Sequence, residues 1–264
     1  LLNFAFLQNS INTIAQYHKV ALHKLIYKSH SKFLKMKRKS FYIGLGLLVL
    51  FIIWTVALRF IDVGAIGPQG SSVGFATLNK MVHDITGVHM SLYTITDWLG
   101  LVPLCFIMGF GILGLCQWIK RKKLFKVDLS ILALGGFYLL VIALYILFEN
   151  VVINYRPTLI NGYLEVSYPS STTLLVLCVM PTANVQLNNR IKNHNLRRIV
   201  SCAIKVFAAF MVIGRLVSGV HWLTDIIGGA LLSAGLVMMY CSICTFKKQF
   251  EESQSIELTI KTPP

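Results

Sequence analysis

A short stretch between two apolar runs, residues 214–225, carries three ionisable side chains: Arg215, His221 and Asp225. Ionisable groups beside long apolar runs are costly unless they are paired or used, so they indicate a functional site. If a helix begins near Val220, His221 and Asp225 lie on one face, and the carboxylate can hold one imidazole nitrogen. The other nitrogen then keeps the lone pair that a histidine nucleophile or base needs. Arg215 adds a guanidinium fork suited to a phosphate.

The same three side chains also fit a structural role. A histidine can lie at a helix start, a carboxylate can occupy a helix face by chance, and an arginine can extend to a lipid headgroup. The stretch alone leaves both interpretations open, so the rest of the chain must decide between them.

Two further segments carry residues suited to binding an anion. Arg156 precedes Pro157, and Pro169 opens a run of small hydroxyl residues that ends at Thr173. Proline followed by serine predicts a helix start, whose free backbone N–H groups bind anions. Two arginines, an anion-binding helix start and a histidine held by an aspartate are what phosphoryl transfer requires, with the histidine attacking phosphorus in line.

These motifs resemble those of the membrane-embedded type-2 phosphatidate phosphatase family, whose active site is shared with vanadium-dependent haloperoxidases and bacterial acid phosphatases. The family motifs are a lysine, six residues and Arg-Pro; Pro-Ser, then Gly or Ser, then His; and Ser-Arg, five residues, His, three residues and Asp. The matching residues are Arg156 and Pro157 in the first motif, Pro169, Ser170 and Ser171 in the second, and Arg215, His221 and Asp225 in the third.

The resemblance implies a role for each matching residue. His221 would form a phosphohistidine, and Asp225 would orient it. The phosphate would be bound by Arg156, Arg215, Ser170 and Ser171. The implied activity is hydrolysis of a phosphorylated membrane lipid, with no metal or other cofactor, no nucleic acid and no obligatory protein partner.

The chain departs from the family pattern at three positions. Glu149 stands at the lysine position, Thr172 at the second-motif histidine and Gly214 at the third-motif serine. In the family that histidine protonates the leaving group, and a threonine hydroxyl does not titrate in the useful range. Losing a general acid costs about 10²- to 10⁴-fold in rate. Glu149 would also weaken phosphate binding unless it is protonated or turned away.

Three hypotheses accommodate these departures. A diphosphate ester expels a phosphate monoester, whose second ionisation lies near pH ~6, so it needs no proton donor. This favours a lipid diphosphate, such as a polyprenyl diphosphate, over phosphatidate. Alternatively, a buried Glu149 that keeps its proton is the donor. In the third hypothesis, the chain is a catalytically reduced relative that binds a phosphorylated lipid through Arg156 and Arg215 without efficient turnover.

The composition predicts an integral membrane protein. Of 264 residues, 55% are hydrophobic and 13% are charged, and the mean hydropathy is +0.67. This is too apolar for a soluble domain of this size. The net charge of +15 lies in clusters between apolar runs, which follows the positive-inside rule and not a nucleic-acid interface. The six cysteines lie in or beside apolar runs and are interpreted as small buried residues.

The apolar runs predict an all-α, six-helix membrane bundle. A short amphipathic helix is expected at the membrane interface over residues 73–88, in the first external connection. Basic runs fall on one side, so both termini are predicted to be cytoplasmic and the site to face outward from a plasma membrane. The compact layout favours a bacterial source. A transporter is less favoured, because its charges would lie near the midplane. The predicted spans are residues 41–58, 99–119, 129–148, 172–187, 199–213 and 222–244.

The phosphatase-like membrane domain is predicted over residues 36–248. Residues 1–35 are interpreted as a basic amphipathic extension, dispensable or foreign to the native protein, because Met36 and the basic residues after it resemble a natural start. Residues 249–264 are predicted to form a polar cytoplasmic tail.

Overall fold

The structure is a computed structural model that describes the backbone of residues 39–261 and the side chains of residues 39–243. The predicted extension at 1–35 lies outside the described residues. In the described part, the regular elements are helices, joined by loops with isolated β-bridges. The all-α prediction is confirmed. The α-helices are α1 (Lys39–Phe60), α2 (Ala76–Thr86), α3 (Met90–Leu99), α4 (Leu101–Arg121), α5 (Leu129–Asn150), α6 (Ser171–Asn188), α7 (His194–Val217) and α8 (Leu223–Lys261).

Five segments of the described chain are long and apolar enough to cross a membrane. They are α1, the continuous run of α3 and α4, α5, α7, and the part of α8 from Leu223 to Ile243. Their outer surfaces carry large apolar side chains, such as Ile52 and Ile53 on α1, which are each 59% exposed. Such surfaces are stable in lipid, where helices satisfy all of their backbone groups internally. The chain is therefore a multi-pass membrane protein.

The remaining long helix, α6, lies at the centre of the bundle. It contacts α4, α5, α7 and α8, and it is not among the five apolar segments although it was predicted to be a span. Its buried polar side chains include Thr182 and Gln186. The Gln186 side-chain amide donates to the Tyr240 hydroxyl at 2.9 Å and to the Ser130 carbonyl at 3.0 Å. Because its neighbours shield α6 and pair its polar groups, this helix can be less apolar than the others.

The first connection between spans contains two helices. α2 confirms the short helix predicted over residues 73–88. The second, α3, was not predicted: it falls at the end of the stretch 59–98 that was assigned to the external connection, and it runs through Gly100 almost directly into α4. It packs tightly on α7, since a Cβ atom built on Gly214 would lie 2.8 Å from Cγ2 of Thr96. Glycine at the family's serine position therefore permits close packing of α3 on α7.

The second connection, residues 151–170, folds back on itself. Tyr155 and Val166 form an antiparallel bridge. The indole N–H of Trp222 donates to the Tyr155 carbonyl at 2.8 Å, which attaches this loop to the start of α8. Arg156, the next residue, is thereby held beside the turn between α7 and α8.

Candidate active site

The turn between α7 and α8 carries the predicted nucleophile. α7 ends at Val217 and α8 begins at Leu223, so the predicted helix start at Val220 is wrong. His221 lies in the turn, and Asp225 lies in the first helical turn of α8. The two side chains meet because the turn directs the imidazole back toward the helix start.

Gly219 gives this turn its shape. Its φ is +70°, and a Cβ atom there would lie 1.9 Å from the carbonyl oxygen of Gly87. On the neighbouring residue, the Ser218 carbonyl accepts a hydrogen bond from the backbone N–H of His89 at 3.0 Å. The turn between α2 and α3 therefore packs directly on the turn that carries His221.

We expect Gly219→Ala to lower the thermal unfolding midpoint in detergent more than Gly162→Ala does. Gly162 also has a positive φ, +84°, but a Cβ atom there would meet no atom within 4 Å. The left-handed conformation alone costs a residue with a side chain roughly 1–2 kcal/mol. Only at Gly219 does the backbone overlap add to that cost, so equal shifts would contradict the close packing of the two turns.

Asp225 is buried and held on both carboxylate oxygens. Its Oδ1 accepts from the side-chain amide of Asn154 at 3.3 Å. Its Oδ2 accepts from the backbone N–H of Trp222 at 2.9 Å and lies 3.7 Å from Nδ1 of His221. These contacts fix the carboxylate so that it faces one nitrogen of the imidazole, as predicted.

The other nitrogen of His221 faces two guanidinium groups. Nε2 lies 3.2 Å from Nη1 of Arg156 and 3.4 Å from Nη2 of Arg215. Guanidinium nitrogens only donate hydrogen bonds, so Nε2 is the acceptor and Nδ1 carries the proton. The lone pair of Nε2 therefore points to the place where two arginines would hold an anion.

The surroundings of His221 keep its imidazole neutral. Burial lowers its pKa well below 6.5, and the positive charges of Arg156 and Arg215 lower it further. Burial disfavours the charged imidazole, and nearby like charges do so as well. A neutral imidazole at neutral pH is the form that can attack phosphorus.

We expect the acid limb of kcat/KM to lie below pH 6.5, because the pKa of His221 is lowered from that value. As the pH falls through the lowered pKa, Nε2 gains a proton and activity is lost. The folded protein should also become less stable below about pH 6.5, since the unfolded chain then binds a proton that the folded chain excludes. The measurement is kcat/KM across the acidic range, corrected for ionisation of the substrate. An acid limb above pH 6.5 would show that the Asp225 carboxylate outweighs burial and the two arginines.

The two arginines are buried with donors to spare. Arg215 is 2% exposed, and its Nε and Nη1 have no hydrogen-bond partner. Its guanidinium lies 5.0 Å from the ring centre of Tyr93, and Nη1 is 3.7 Å from Oδ1 of Asp97. Arg156 is 8% exposed, and its Nε is 2.9 Å from a carboxylate oxygen of Glu165. Buried, incompletely paired guanidinium groups that converge on one point form a receptor for a phosphate.

Sequence reasoning missed four residues of this site: Tyr93, Asp97, Asn154 and Glu165. Asp97 stands alone beside an apolar run, which is a signal that an ionic partner is needed. Glu165 carries no such signal, because its pairing with Arg156 depends on how residues 151–170 fold back.

The start of α6 lies beside Asp225. Ser170 is fully buried and caps α6: its Oγ lies 3.5 Å from the backbone N–H of Thr173 and 3.0 Å from the Thr173 hydroxyl. Its own backbone N–H donates to the Asp225 carbonyl at 3.1 Å. The Ser170 hydroxyl therefore has a hydrogen left to donate, while its oxygen serves the helix. Ser171 and Thr172, in the first turn, are half-buried.

Glu149 lies at the end of α5 and is exposed. It lines a small crevice with Tyr145 and Ser171. The burial that the proton-donor hypothesis requires is therefore missing. Among the described residues, no group of three or more His, Cys, Asp or Glu side chains is arranged to hold a metal ion.

Comparisons with known proteins identify the family of the chain. The model of the PAP2 superfamily matches residues 105–249, which are more than half of the chain and include the positions of all three motifs. Among solved structures, the chain is similar to the crystal structure of the first transmembrane PAP2 type phosphatidylglycerolphosphate phosphatase from Bacillus subtilis. The two are 21% identical, the match covers 80% of this chain and 97% of that one, and the TM-score is 0.49. Comparison of the sequence with curated proteins gives no match.

Proposed function

Because the chain belongs to the PAP2 superfamily, we propose that it is a membrane phosphatase that hydrolyses a phosphorylated lipid through a phosphohistidine on His221. The proposal rests mainly on the groups that surround the two ring nitrogens of His221. Nδ1 faces the buried carboxylate of Asp225, and Nε2 faces the buried arginines Arg156 and Arg215. A histidine that only caps a helix would need neither arrangement.

The first chemical step is transfer of the phosphoryl group to His221. Three sets of donors bind the phosphate oxygens. They are the N–H groups of Arg215 that make no hydrogen bond, the guanidinium group of Arg156 and the backbone N–H groups at the start of α6. The Nε2 lone pair forms a bond to phosphorus as the bond from phosphorus to the leaving oxygen breaks. Asp225 stabilises the positive charge that develops on the imidazole.

The second step releases phosphate. A water molecule attacks phosphorus on the face that the leaving group vacated, the nitrogen–phosphorus bond breaks, and its electron pair returns to Nε2. One proton of the water stays on the new P–O oxygen, the other passes to the solvent, and inorganic phosphate departs. The same arginines stabilise both steps, because each passes through a phosphoryl group with charge on its three outer oxygens.

The substrate we favour is a lipid diphosphate, such as a polyprenyl diphosphate. Thr172 supplies no titratable proton at the start of α6, and Glu149 is exposed. A leaving phosphate monoester has its second ionisation near pH ~6 and departs without a proton donor. A lipid alkoxide would need one.

We also propose that the site faces the outside of a plasma membrane, with both termini cytoplasmic and a bacterial source. Support comes from the distribution of charge in the domain over residues 36–248. The site lies at one end of the bundle, whereas the basic segments at 120–123, where α4 ends, and 190–198, where α7 begins, lie at the other end. Basic loops favour the cytoplasmic side.

A second candidate function is binding of a phosphorylated lipid without efficient turnover. Thr172 and Glu149 favour it, since both differ from the family motifs. The pairing of His221 with Asp225 disfavours it, because binding alone needs only the arginines.

The substrate ratio tests the diphosphate argument. We expect protein purified in detergent to release phosphate about 10²-fold or more faster from a polyprenyl diphosphate than from phosphatidate, which is the lower end of a general acid's contribution. Thr172→His should raise phosphatidate turnover selectively, by supplying that acid. Faster turnover of phosphatidate by the unaltered protein would contradict the substrate assignment. Binding of both lipids without release would favour the second candidate.

A further inference from the structure

The helix that follows the catalytic turn begins without a cap of its own. Trp222 stands immediately before Leu223, the first residue of α8. An indole has no oxygen to accept a hydrogen bond from the first N–H groups of a helix, which is the task of Ser, Thr, Asp or Asn at this place. Asp225 accepts the N–H of Trp222 at 2.9 Å, and its own backbone N–H donates to the Trp222 carbonyl at 3.0 Å. The backbone N–H of Thr224, between them, still needs an acceptor.

Asn79, on α2, supplies the missing acceptor from elsewhere in the chain. Its Oδ1 accepts from the backbone N–H of Thr224 at 3.2 Å. Its amide donates to the Thr224 hydroxyl at 2.9 Å and to the Gly74 carbonyl at 2.8 Å. Asn79 and Thr224 are both fully buried. Every polar group of the Asn79 side chain is therefore paired, with two of its hydrogen bonds joining α2 to the start of α8 and the third going to the segment before α2.

The rest of this face of α2 contacts the same segment. One helical turn after Asn79, the His83 ring lies 5.4 Å from the ring of Trp222. The start of α2 is itself fixed, because the backbone N–H of Thr77 donates to a carboxylate oxygen of Asp62 at 2.8 Å. α2 thus presents a fixed surface to residues 222–224, directly after His221.

We propose that Asn79 is a positioning residue for the catalytic histidine. By capping α8 from α2, it fixes the backbone of residues 222–225 and, through it, the place of Nε2 of His221 relative to the bound phosphate. The inference rests on the proposed function. Asn79 lies before residue 105, where the family match begins, and it belongs to none of the three motifs.

Binding of two anions, phosphate and orthovanadate, distinguishes a positioning role of Asn79 from a general loss of structure. Inorganic phosphate is bound by the arginines, which are anchored on α7 and in residues 151–170. Orthovanadate, which mimics the transition state, gains affinity when a nucleophile occupies its fifth position, so its affinity depends on where Nε2 lies. Both dissociation constants can be measured by calorimetry on the purified full chain, without any turnover.

We expect Asn79→Ala to weaken vanadate binding about tenfold or more while phosphate affinity changes less than about threefold, since misplacement of a reacting group by about 1 Å can cost on the order of 10²-fold. In turnover, kcat should fall about 10- to 100-fold with KM nearly unchanged. Thr224→Val should act in the same direction, because it removes the Thr224 hydroxyl. Combining it with Asn79→Ala should cost less than the two separate effects multiplied.

The control is Asp84→Asn on the exposed side of α2, where Asp84 pairs with Lys80 at 3.1 Å. It should leave both affinities and kcat unchanged. Equal weakening of phosphate and vanadate by Asn79→Ala, or multiplicative effects of the two substitutions, would overturn the positioning role. If the unaltered protein binds both anions but releases no phosphate from any lipid, the proposed function fails, while the vanadate comparison still decides the role of Asn79.

Discussion

Replacing His221 with asparagine is expected to lower phosphate release by about 10⁴-fold or more, which is the scale of losing a nucleophile that acts with its partners as a unit. Asparagine removes the nucleophilic Nε2 but leaves Arg156 and Arg215, which bind the phosphate, in place. The phosphate receptor should therefore survive, and inorganic phosphate should bind with little change. The measurement is phosphate release from a polyprenyl diphosphate, beside calorimetric binding of inorganic phosphate.

A matched control and a trapped intermediate make this result specific. His194 is exposed at the start of α7, at the opposite end of that helix from the site, so His194→Asn should retain full activity. Alkaline quenching of the unaltered protein during turnover of a labelled diphosphate should trap a base-stable, acid-labile phosphoprotein that is missing in His221→Asn. Substantial activity in His221→Asn would transfer the chemistry to another nucleophile and contradict the phosphohistidine mechanism.

The sequence was informative about this site because its chemistry is concentrated in short motifs. Arg156, Arg215, His221 and Asp225 could be selected from residue type and spacing, and the structure brings all four together. Ser170, predicted with them, joins the starts of α6 and α8. The helices were equally predictable, because a helix that contacts lipid must be continuously apolar.

What the sequence did not predict depends on contacts between distant residues. α3 was not predicted, because residues 59–98 were assigned to an external connection. Its residues Thr96 and Asp97 face Gly214 and Arg215 on α7. A start of α8 near Val220 was expected from a turn at Ser218 and Gly219, whereas the helix begins at Leu223. Its cap is Asn79, 145 residues earlier in the chain. Periodicity and propensity describe only a local neighbourhood, so such partners are invisible to them.

Replacing Arg215 with lysine is expected to lower kcat/KM by about 10²- to 10³-fold, the usual scale for losing a donor that stabilises charge in the transition state. Lysine keeps the positive charge but provides one compact group in place of a planar fork. In the structure that fork does three things at once: Nη2 faces Nε2 of His221, Nε and Nη1 make no hydrogen bond, and the guanidinium group lies by the Tyr93 ring. An ammonium cannot serve all three directions.

Arg121→Lys provides the control for this substitution. Arg121 pairs with Asp128 at 2.9 Å, at the end of α4 away from the site, so its replacement should leave kcat/KM unchanged. If Arg215 binds the outer oxygens in the transition state, Arg215→Lys should lower kcat as well as phosphate affinity. A loss confined to KM would mean that Arg215 binds substrate and transition state equally. Losing a donor of this kind usually costs about 10²-fold or more. If Arg215→Lys keeps its activity within about threefold of the unaltered protein, positive charge alone suffices. The convergence of two guanidinium groups on Nε2 would then have no catalytic role.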